Sequence, residues 1–474
     1  MGQAASLYDV EQGRTDTLVA VVMANVRQRI ASRSLTPGAR LPSIRAMAEA
    51  QSVSKSTVVE AYERLAAEGT IRSRPGSGFF VAAPLAPLSL AAIGPKRDHA
   101  VDPLWISRQS LDANPTTLKP GCGWMPGHWM PEAAIRKGLR SLARAETVAL
   151  TDYATPLGLP ALRQLLARRM AEAGITASPD QLIMTDSGTA AIDLLCRFLL
   201  EPGDTVLVDD PCYFNFHALL RAHRVKVVGV PYTPNGPDVE RFAEAMRAHA
   251  PRLYITNSGL HNPTGATLSP MTAHRLLKLA DEGDLTIIED DIFADFEPNP
   301  AARLAAFDGL ERVIHIGSFS KTLSAAFRCG YVAAPARWVE PIADLRIATS
   351  FGGERMAAEL VLGLLRDGGY RRHLDAVRPR LAKAMSTVSR RLNSLGLVPW
   401  IMPRAGMFLW CRLPDGLDAA DVARACLAEN IVLAPGNAFS PGHGSSSFLR
   451  FNVTQTDDER IYSALERAMR ISRE

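Results

Sequence analysis

Four short apolar runs in the second half of the chain each turn polar at their C-terminal end. They are TVLVDD (205–210), RLYITNS (252–258), LTIIEDD (285–291) and RVIHIGS (312–318). Amphipathic stretches separate these runs, and such alternation is typical of a parallel sheet covered by helices on both faces. Ligands of these sheets bind beyond the carboxyl ends of the strands. The residues expected to meet in one crevice are therefore Asp210, Asn257, Asp290 and Ser318.

The residues ahead of this α/β body predict a small separate domain. A first amphipathic helix is indicated by apolar residues at every fourth position, namely Leu18, Val22, Val26 and Ile30. Ser43 and Ser54 are suited to cap two further helices at helix-turn-helix spacing, the second of which Gly69 would close. The stretch TIRSRPGSGFFV (70–81) then predicts two strands around a turn, which form a β wing.

Prolines at 84, 87, 95, 103 and 115 interrupt any long helix or central strand between the two parts. We therefore expect a winged helix-turn-helix domain at 12–82, a linker at 83–117 and the body at 118–474. Trp105, Ile106 and Leu111 are apolar enough to hold the second half of the linker against a neighbouring domain.

Size and composition narrow the class of protein. A chain of 474 residues exceeds the usual size of one hydrophobic core, and 47% hydrophobic with 22% charged residues is the balance of an ordinary globular protein. Neither a membrane-spanning run nor a secretory signal is predicted, so we expect a cytoplasmic protein. The six cysteines are scattered without metal-ligand spacing, which predicts reduced thiols and no metal site.

Charge is concentrated near the N-terminus. Residues before Ala82 hold ten Lys and Arg against seven Asp and Glu, a balance of +3 out of the net +4 for the whole chain. This excess weakly favours a polyanionic partner for the small domain.

One lysine follows the last apolar run closely, Lys321 in GSFSKTLSAAFRCGY. A lysine in a crevice can bind phosphate as a point charge, act as a base, or condense with the aldehyde of pyridoxal phosphate. That cofactor needs a carboxylate at its pyridine nitrogen, donors for its phosphate and an aromatic ring for stacking. The neighbouring motifs supply each of these, so they favour the covalent use of Lys321.

The candidate cofactor ligands lie at successive strand ends. Asp290 or Asp291 is placed for the pyridine nitrogen, and Tyr213 for stacking on the ring. Asn262 in NPTG could donate to the 3′ oxygen. The phosphate would meet a helix N-terminus and the hydroxyls and cation around the lysine: Ser187, Gly188, Thr189, Ser318, Ser320 and Arg328.

From about Lys119 onward the chain resembles the fold-type I pyridoxal-phosphate aminotransferases. The motifs SGTAAID, DDPCYF, HNPTG, IIEDDIFADF, SFSKTLSAAFRCGY and LRFNVT occur in the order and at the spacings of that family. The resemblance implies a mostly parallel sheet with a smaller C-terminal subdomain, Lys321 as the Schiff-base lysine and Asp290 as the partner of the pyridine nitrogen. It also implies that Arg450 binds an α-carboxylate, and that Tyr153 reaches the cofactor phosphate of the partner subunit in a homodimer.

Two positions depart from this family's pattern. Phe293 stands where many aminotransferases have a tyrosine that contacts the 3′ oxygen, so the electronic tuning of the cofactor should differ. The stretch TLSAAFR lacks the usual Pro-Gly before its arginine, although Arg328 keeps its spacing from Lys321.

The small domain resembles the winged helix of the GntR regulators along LPSIRAMAEAQSVSKSTVVEAYERLAAEGTIRSRPGSGFFV. Lys55, Ser56 and Thr57 open the recognition helix behind its cap Ser54, where base edges in a major groove are read. Arg45, Arg72 and Arg74 are suited to phosphates or a minor groove, and Gly76 lies in the wing turn. A dimerisation module with a solvated charged face is the alternative for this domain.

Joined in this order, the two parts resemble the MocR/GabR regulators over the whole chain. The resemblance implies a regulator that binds double-stranded DNA and senses pyridoxal phosphate or an amino-acid or amine effector. A working aminotransferase with an accessory DNA-binding domain is the alternative that the sequence leaves open. A scaffold that binds no cofactor is the third hypothesis. The effector, the operator and the direction of regulation are not predicted.

Overall fold

The computed structural model describes residues 17–31, 35, 38–82, 105–111, 114–145, 150–353, 355–442 and 444–472. The chain divides into two compact units between Asp98 and His99. Each unit has hydrophobic clusters of its own, one in the first unit and two in the second. We call the first unit the head and the second the body.

The head contains α1 (Leu18–Ala31), α2 (Ile44–Gln51), α3 (Lys55–Ala67), β1 (Ile71–Arg74) and β2 (Gly78–Val81). Ser43 Oγ accepts from the Ala46 amide at 3.2 Å and Ser54 Oγ from the Thr57 amide at 3.1 Å, so both predicted helix caps are confirmed. α3 ends at the C-cap Glu68, and Gly69 follows with φ +73°, the left-handed conformation that glycine adopts freely.

A short segment ahead of α2 pairs with the edge of the wing, and the sequence did not predict this pairing. The Leu41 amide donates to the Phe79 carbonyl at 2.8 Å, and the Val81 amide donates to the Ala39 carbonyl at 2.9 Å. Arg40 lies opposite Phe80 in this antiparallel pairing. Residues 38–41 therefore extend the β1–β2 hairpin along the free edge of β2.

The body is built on an eight-stranded sheet with the order β3-β10-β9-β8-β7-β4-β5-β6. Its strands are β3 (Leu182–Thr185), β4 (Thr205–Asp210), β5 (Lys226–Thr233), β6 (Gly236–Pro237), β7 (Leu253–Thr256), β8 (Thr286–Asp290), β9 (Val313–Ser318) and β10 (Gly330–Ala333). The five strands β4, β5, β7, β8 and β9 are parallel, whereas β10 and β6 pair antiparallel with their neighbours. The four apolar runs are β4, β7, β8 and β9, so the mostly parallel sheet is confirmed.

A smaller antiparallel sheet follows, with the order β11-β12-β14-β13. Its strands are β11 (Val398–Pro399), β12 (Phe408–Arg412), β13 (Ala434–Pro435) and β14 (Phe448–Asn452). It corresponds to the predicted C-terminal subdomain.

The helices of the body connect and cover these sheets. They are α4 (Trp105–Leu111), α5 (Glu132–Leu142), α6 (Pro160–Glu172), α7 (Gly188–Leu199), α8 (Phe214–Ala222), α9 (Val239–His249), α10 (Pro270–Glu282), α11 (Leu304–Asp308), α12 (Ala336–Ser350), α13 (Arg355–Arg366), α14 (Gly369–Ser394), α15 (Ala419–Ala428) and α16 (Glu459–Ile471). None of the described helices is long and apolar enough to cross a membrane.

The second half of the expected linker is partly built into the body. Trp105 and Ile106 of α4 are buried in its main hydrophobic cluster, as predicted. Leu111 is 74% exposed, so its predicted anchoring role was wrong. Leu111 ends a helix of two turns, whose buried side chains Trp105, Ile106 and Ser110 lie on the opposite face.

All six cysteines are free and buried. Burial raises the pKa of every one of these thiols above its ordinary value. Each thiol is therefore protonated at neutral pH.

Candidate functional site

Lys321 lies three residues beyond β9, at the carboxyl edge of the sheet. Its Nζ donates to the backbone carbonyl of Gly123 at 2.8 Å, and its side chain is half-buried. Burial lowers the pKa of Lys321 to about 8, and the nearby Arg450 cation acts in the same direction. A substantial fraction of this amine is therefore neutral near physiological pH, the form that attacks an aldehyde.

Asp290 and Asp291 are neighbours at the end of β8 but have different surroundings. Burial raises the pKa of Asp290 to about 6, and the Lys321 cation opposes this shift. The Asn257 side chain donates to the Asp290 carbonyl at 2.8 Å. Asp291 instead accepts from Arg303 Nε at 2.6 Å inside the core, where Arg303 also pairs with Glu297. Among the described residues, Asp290 has no ion-pair partner of this kind.

The helix N-terminus of the predicted phosphate cup lies beside the lysine segment. Ser187 Oγ caps α7 by accepting from the Ala190 amide at 3.0 Å. A Cβ at Gly188 would lie 3.9 Å from the Ser318 Cβ and 3.1 Å from a methyl group of Ile292, so glycine keeps this approach close. Ser318 Oγ donates to Ser320 Oγ at 3.1 Å.

Two further members of the cup face solvent. Thr189 in the first turn of α7 and Arg328 after the lysine are both exposed. Arg328 is still near enough to Lys321 to lower the pKa of its amine. The structure thus brings the predicted phosphate ligands to one edge of the crevice, with these two on its outer side.

Arg450 projects from β14 into the body and is completely buried. Its Nη1 donates to Asn262 Oδ1 and its Nη2 to the Gly121 carbonyl, both at 2.8 Å. Its guanidinium carbon lies 4.2 Å from the Phe408 ring centroid and 4.9 Å from that of Phe439. Burial lowers the pKa of Arg450 to about 10.

One edge of this guanidinium remains free. Arg450 Nε is buried without a hydrogen-bond partner, and no carboxylate among the described residues lies within ion-pairing distance of the side chain. A buried cation without a counter-charge is costly, so this edge is suited to an incoming anion.

The two predicted tyrosines lie in different places. Tyr213 immediately precedes α8, half-buried against Phe214 with ring centroids 4.9 Å apart. Burial raises the pKa of Tyr213, and its hydroxyl also feels the charges of Arg450 and Asp290, so it belongs to the crevice. Tyr153 is 74% exposed, and its ring lies 4.8 Å from that of Phe351 on the surface of the body.

Sequence reasoning missed the segment Gly121–Trp124, whose backbone contributes to the site. Its carbonyls accept from Arg450 at Gly121 and from Lys321 at Gly123. Asn452 Nδ2 donates to the carbonyls of Cys122 and Trp124, at 3.1 and 2.8 Å, and thereby fixes the segment. A Cβ at Gly121 would lie 2.3 Å from the Leu433 backbone, so only glycine fits there. The two glycines of GCGW were therefore the sequence feature that could have indicated this close backbone approach.

The predicted DNA-binding residues lie on the surface of the head. Ser54, Lys55 and Ser56 are exposed at the start of α3, and Thr57 is partly exposed. Arg45 on α2 is exposed and pairs with Glu49 at 3.3 Å. Arg72 and Arg74 are exposed on β1, and Gly76 has φ +72° in the wing turn.

Comparison with known proteins defines the class. A family model described as aminotransferase class I and II matches residues 125–467, and one described as bacterial regulatory proteins of the gntR family matches residues 18–81. The chain belongs to the class I and II aminotransferase family and carries a GntR-type DNA-binding head. The winged helix-turn-helix and the fold-type I body are thereby confirmed.

Relatives over nearly the whole chain make the assignment more particular. The HTH-type transcriptional regulator YdcR of Escherichia coli K12 is 30% identical and spans 95% of this chain and 97% of its own. The HTH-type transcriptional regulator NorG of Staphylococcus aureus USA300 is 26% identical over 90% of this chain and 98% of its own. These relatives confirm the predicted MocR-type arrangement and a DNA-binding transcription regulator as the main function.

Solved aminotransferases have the same body fold. Pyrococcus horikoshii kynurenine aminotransferase, solved with PMP, superposes with a TM-score of 0.72 at 22% identity and covers 81% of this chain and 98% of its own. LysN from Thermus thermophilus, an α-aminoadipate aminotransferase solved with N-(5'-phosphopyridoxyl)-L-leucine, gives 0.70 at 25% identity over 78% and 94%. With the family assignment, they confirm pyridoxal phosphate as the cofactor.

Proposed function

We propose that this regulator senses an α-amino acid in the crevice of its body. The observation that carries the proposal is the free edge of Arg450, a buried guanidinium whose Nε has no partner among the described residues. Its Nη groups already donate to Asn262 and Gly121, so Nε is the guanidinium nitrogen left to donate to a carboxylate. Lys321, the amine suited to bind the cofactor, lies beside the same Gly121–Trp124 segment.

The side chains around Lys321 fit pyridoxal phosphate. Asp290, with a pKa of about 6, is anionic at neutral pH and would hold the proton of the pyridine nitrogen. Tyr213 would stack on the ring and Asn262 would donate to its 3′ oxygen. The phosphate would be held by Ser187, Gly188, Thr189, Ser318, Ser320 and Arg328. When bound, the cofactor supplies an aldehyde that condenses with amines and a ring that withdraws electrons.

Arg450 should make the site select for a carboxylate. An amine effector without this group would leave the free guanidinium edge buried and unpaired, which is unfavourable. An amino acid would pair with it while its amino group competes with Lys321 for the cofactor. Amino acids should therefore bind more tightly than the amines derived from them by loss of the carboxyl group.

Spectral titration of the cofactor-loaded protein tests this proposal. We expect an absorbance change with at least one member of a panel of natural amino acids. The matching decarboxylated amine should bind at least about tenfold more weakly, which corresponds to a difference of about 1.4 kcal/mol in binding free energy. The same amino acid should change the affinity for promoter DNA in gel shifts, and Lys321→Ala should lack the imine absorbance of the wild type before any amino acid is added. Equal responses to an amino acid and its amine in wild type and in Arg450→Met would refute the role of Arg450.

A working aminotransferase is the second candidate function. The lowered pKa of Lys321, about 8, favours it because a neutral lysine can also serve as a base toward a bound amino acid. Sustained turnover of an amino acid with a 2-oxo acid would support this activity. A spectral change without turnover would support sensing alone.

We also propose that the protein is a homodimer. Tyr153 and Phe351, 74% and 64% exposed, form an aromatic pair on the surface of the body that suits a subunit interface. Tyr153 would reach the cofactor phosphate of the partner subunit from there. Phe351→Glu should shift the sedimentation coefficient from dimer to monomer, and a monomeric wild-type protein would exclude the dimer.

The domain limits remain part of the proposal: 12–82 for the head, 83–117 for the linker and 118–474 for the body. The division between compact units at Asp98 and His99 lies inside this linker, and α4 in its second half packs into the core of the body. Because the GntR-type head implies DNA binding, we propose that the regulator works in the cytoplasm.

A further inference from the structure

The outer face of the wing displays three arginines, two from β1 and one from the segment 38–41. The register of β1 and β2 puts Arg72 opposite Phe80 and Arg74 opposite Gly78. Directly paired residues in a sheet point to the same face. Phe79 contacts Tyr62 of the head core at 5.0 Å between ring centroids, so Phe80, its neighbour in sequence, lies on the opposite, outer face.

Arg40 joins this face from the segment 38–41. It lies opposite Phe80 on the other side of β2 from Arg72. A Cβ at Gly78 would be 3.6 Å from Arg40 Nε and 3.7 Å from Nη2, so the guanidinium extends over the glycine. Arg74 lies over the Phe80 ring, 4.7 Å from its centroid. Arg40 and Arg74 therefore flank Gly78 and Phe80 from opposite sides.

These three arginines lack the glutamate partners that several other arginines of the described head have. Arg27, Arg45 and Arg64 each form an ion pair with a glutamate, at 2.6, 3.3 and 2.5 Å. Arg40, Arg72 and Arg74 are exposed, and in the described part of the head no carboxylate lies within ion-pairing distance of them. Like charges held together on one face repel each other unless an external anion neutralises them.

We propose that Arg40 is a DNA-contact residue and that Arg40, Arg72 and Arg74 form one phosphate-binding face for double-stranded DNA. The spacing of charge along a duplex favours several guanidinium groups on one rigid surface. Arg40 comes from the segment before the helix-turn-helix, which is why neither the recognition helix nor the hairpin motif reveals it. As a phosphate ligand it supplies affinity without base preference.

The test is the salt dependence of DNA binding by the full-length, cofactor-loaded protein. The probes are two duplexes of about 30 base pairs and unrelated sequence, measured by fluorescence anisotropy between about 50 and 200 mM NaCl. Arg40→Gln should lower the slope of log K against log salt by about 0.9 on both duplexes, the value for one lost phosphate contact. Arg40→Lys keeps the charge and should keep the slope.

Arg27→Gln is the matched control, because it removes a head arginine that already has a glutamate partner. It should leave the slope at the wild-type value. An Arg40→Gln slope equal to that of wild type, or a loss on one duplex only, would overturn the phosphate assignment. Failure of the wild-type protein to bind any duplex would instead refute DNA binding by the head itself, so the two failures are distinguishable.

Discussion

Asp290 and Asp291 show how neighbouring residues in one strand end can serve different purposes. Side chains alternate in direction along β8 and the turn after it, so one carboxylate faces Lys321 and the other faces Arg303 in the core. The carboxylates that pair with Arg303, those of Asp291 and Glu297, have their counter-charge inside the fold. Asp290 is buried at the crevice without such a partner, as expected of a group whose counter-charge belongs to a bound molecule.

Substituting the two aspartates should therefore affect two different properties, cofactor binding and stability. Asp290→Asn should weaken pyridoxal phosphate binding by about 10- to 100-fold, since a hydrogen bond to a charged group is worth about 1.5–3 kcal/mol. Asp291→Asn should instead lower the free energy of unfolding by about 3–5 kcal/mol, because it leaves buried Arg303 short of one charge. Fluorescence titration and urea denaturation measure the two effects; equal cofactor loss in both variants would contradict this distinction.

The lowered pKa of Lys321 predicts a pH dependence in the cofactor-stripped protein. The folded state releases the lysine proton near pH 8, whereas the unfolded state keeps it up to about pH 10.5. The unfolded state binds more protons within this window, so stability rises with pH there. Wild type should gain stability relative to Lys321→Met between about pH 8 and pH 10.5. A difference that stays flat with pH would show that the amine titrates normally.

At the scale of the element, α2 and α3 begin with equivalent serine caps but present different surfaces. Ser43 and Ser54 each accept one amide of the first turn. Ser54 is also within hydrogen-bonding distance of Ser56 Oγ at 2.8 Å and Thr57 Oγ1 at 2.7 Å. The cap of α3 thus orders the side chains that should meet the bases.

The two caps form a matched pair for mutation. Ser43→Ala and Ser54→Ala should each destabilise the head by about 1 kcal/mol, measured by thermal unfolding of that transition. Only Ser54→Ala should additionally reduce the discrimination between operator and unrelated DNA in competition binding. If both variants lost discrimination equally, the effect would be one of stability and not of base reading.

At the scale of the whole molecule, two units with separate hydrophobic cores should unfold in separate transitions. Pyridoxal phosphate at about 100 times its Kd should stabilise the body by about 2.7 kcal/mol, because it binds only the folded body. Differential scanning calorimetry should show the upward shift in the body's transition and none with Lys321→Ala. A single transition that shifts as a whole would indicate that the head unfolds together with the body.

The sequence predicted what periodicity and side-chain chemistry determine. In both units the local sequence pattern and the tertiary packing favour the same element. This holds for the apolar runs that form β4, β7, β8 and β9 and for the capped helices of the head. It did not predict the pairing of residues 38–41 with β2 or the roles of Gly121 and Gly123, because backbone carbonyls and edge pairing leave no side-chain signature. At Leu111 the sequence predicted a contact that the structure lacks, since an apolar residue at a helix end can remain exposed.

The burial of all six thiols has a practical consequence. Maleimide labelling requires an accessible thiolate, and none of the native cysteines offers one at neutral pH. Cysteines introduced at exposed positions outside both sites, for instance at Leu18 in the head and at Met271 in the body, should therefore take up paired fluorophores without removal of the native ones. Energy transfer between such dyes would report directly whether an effector in the body changes the distance to the head.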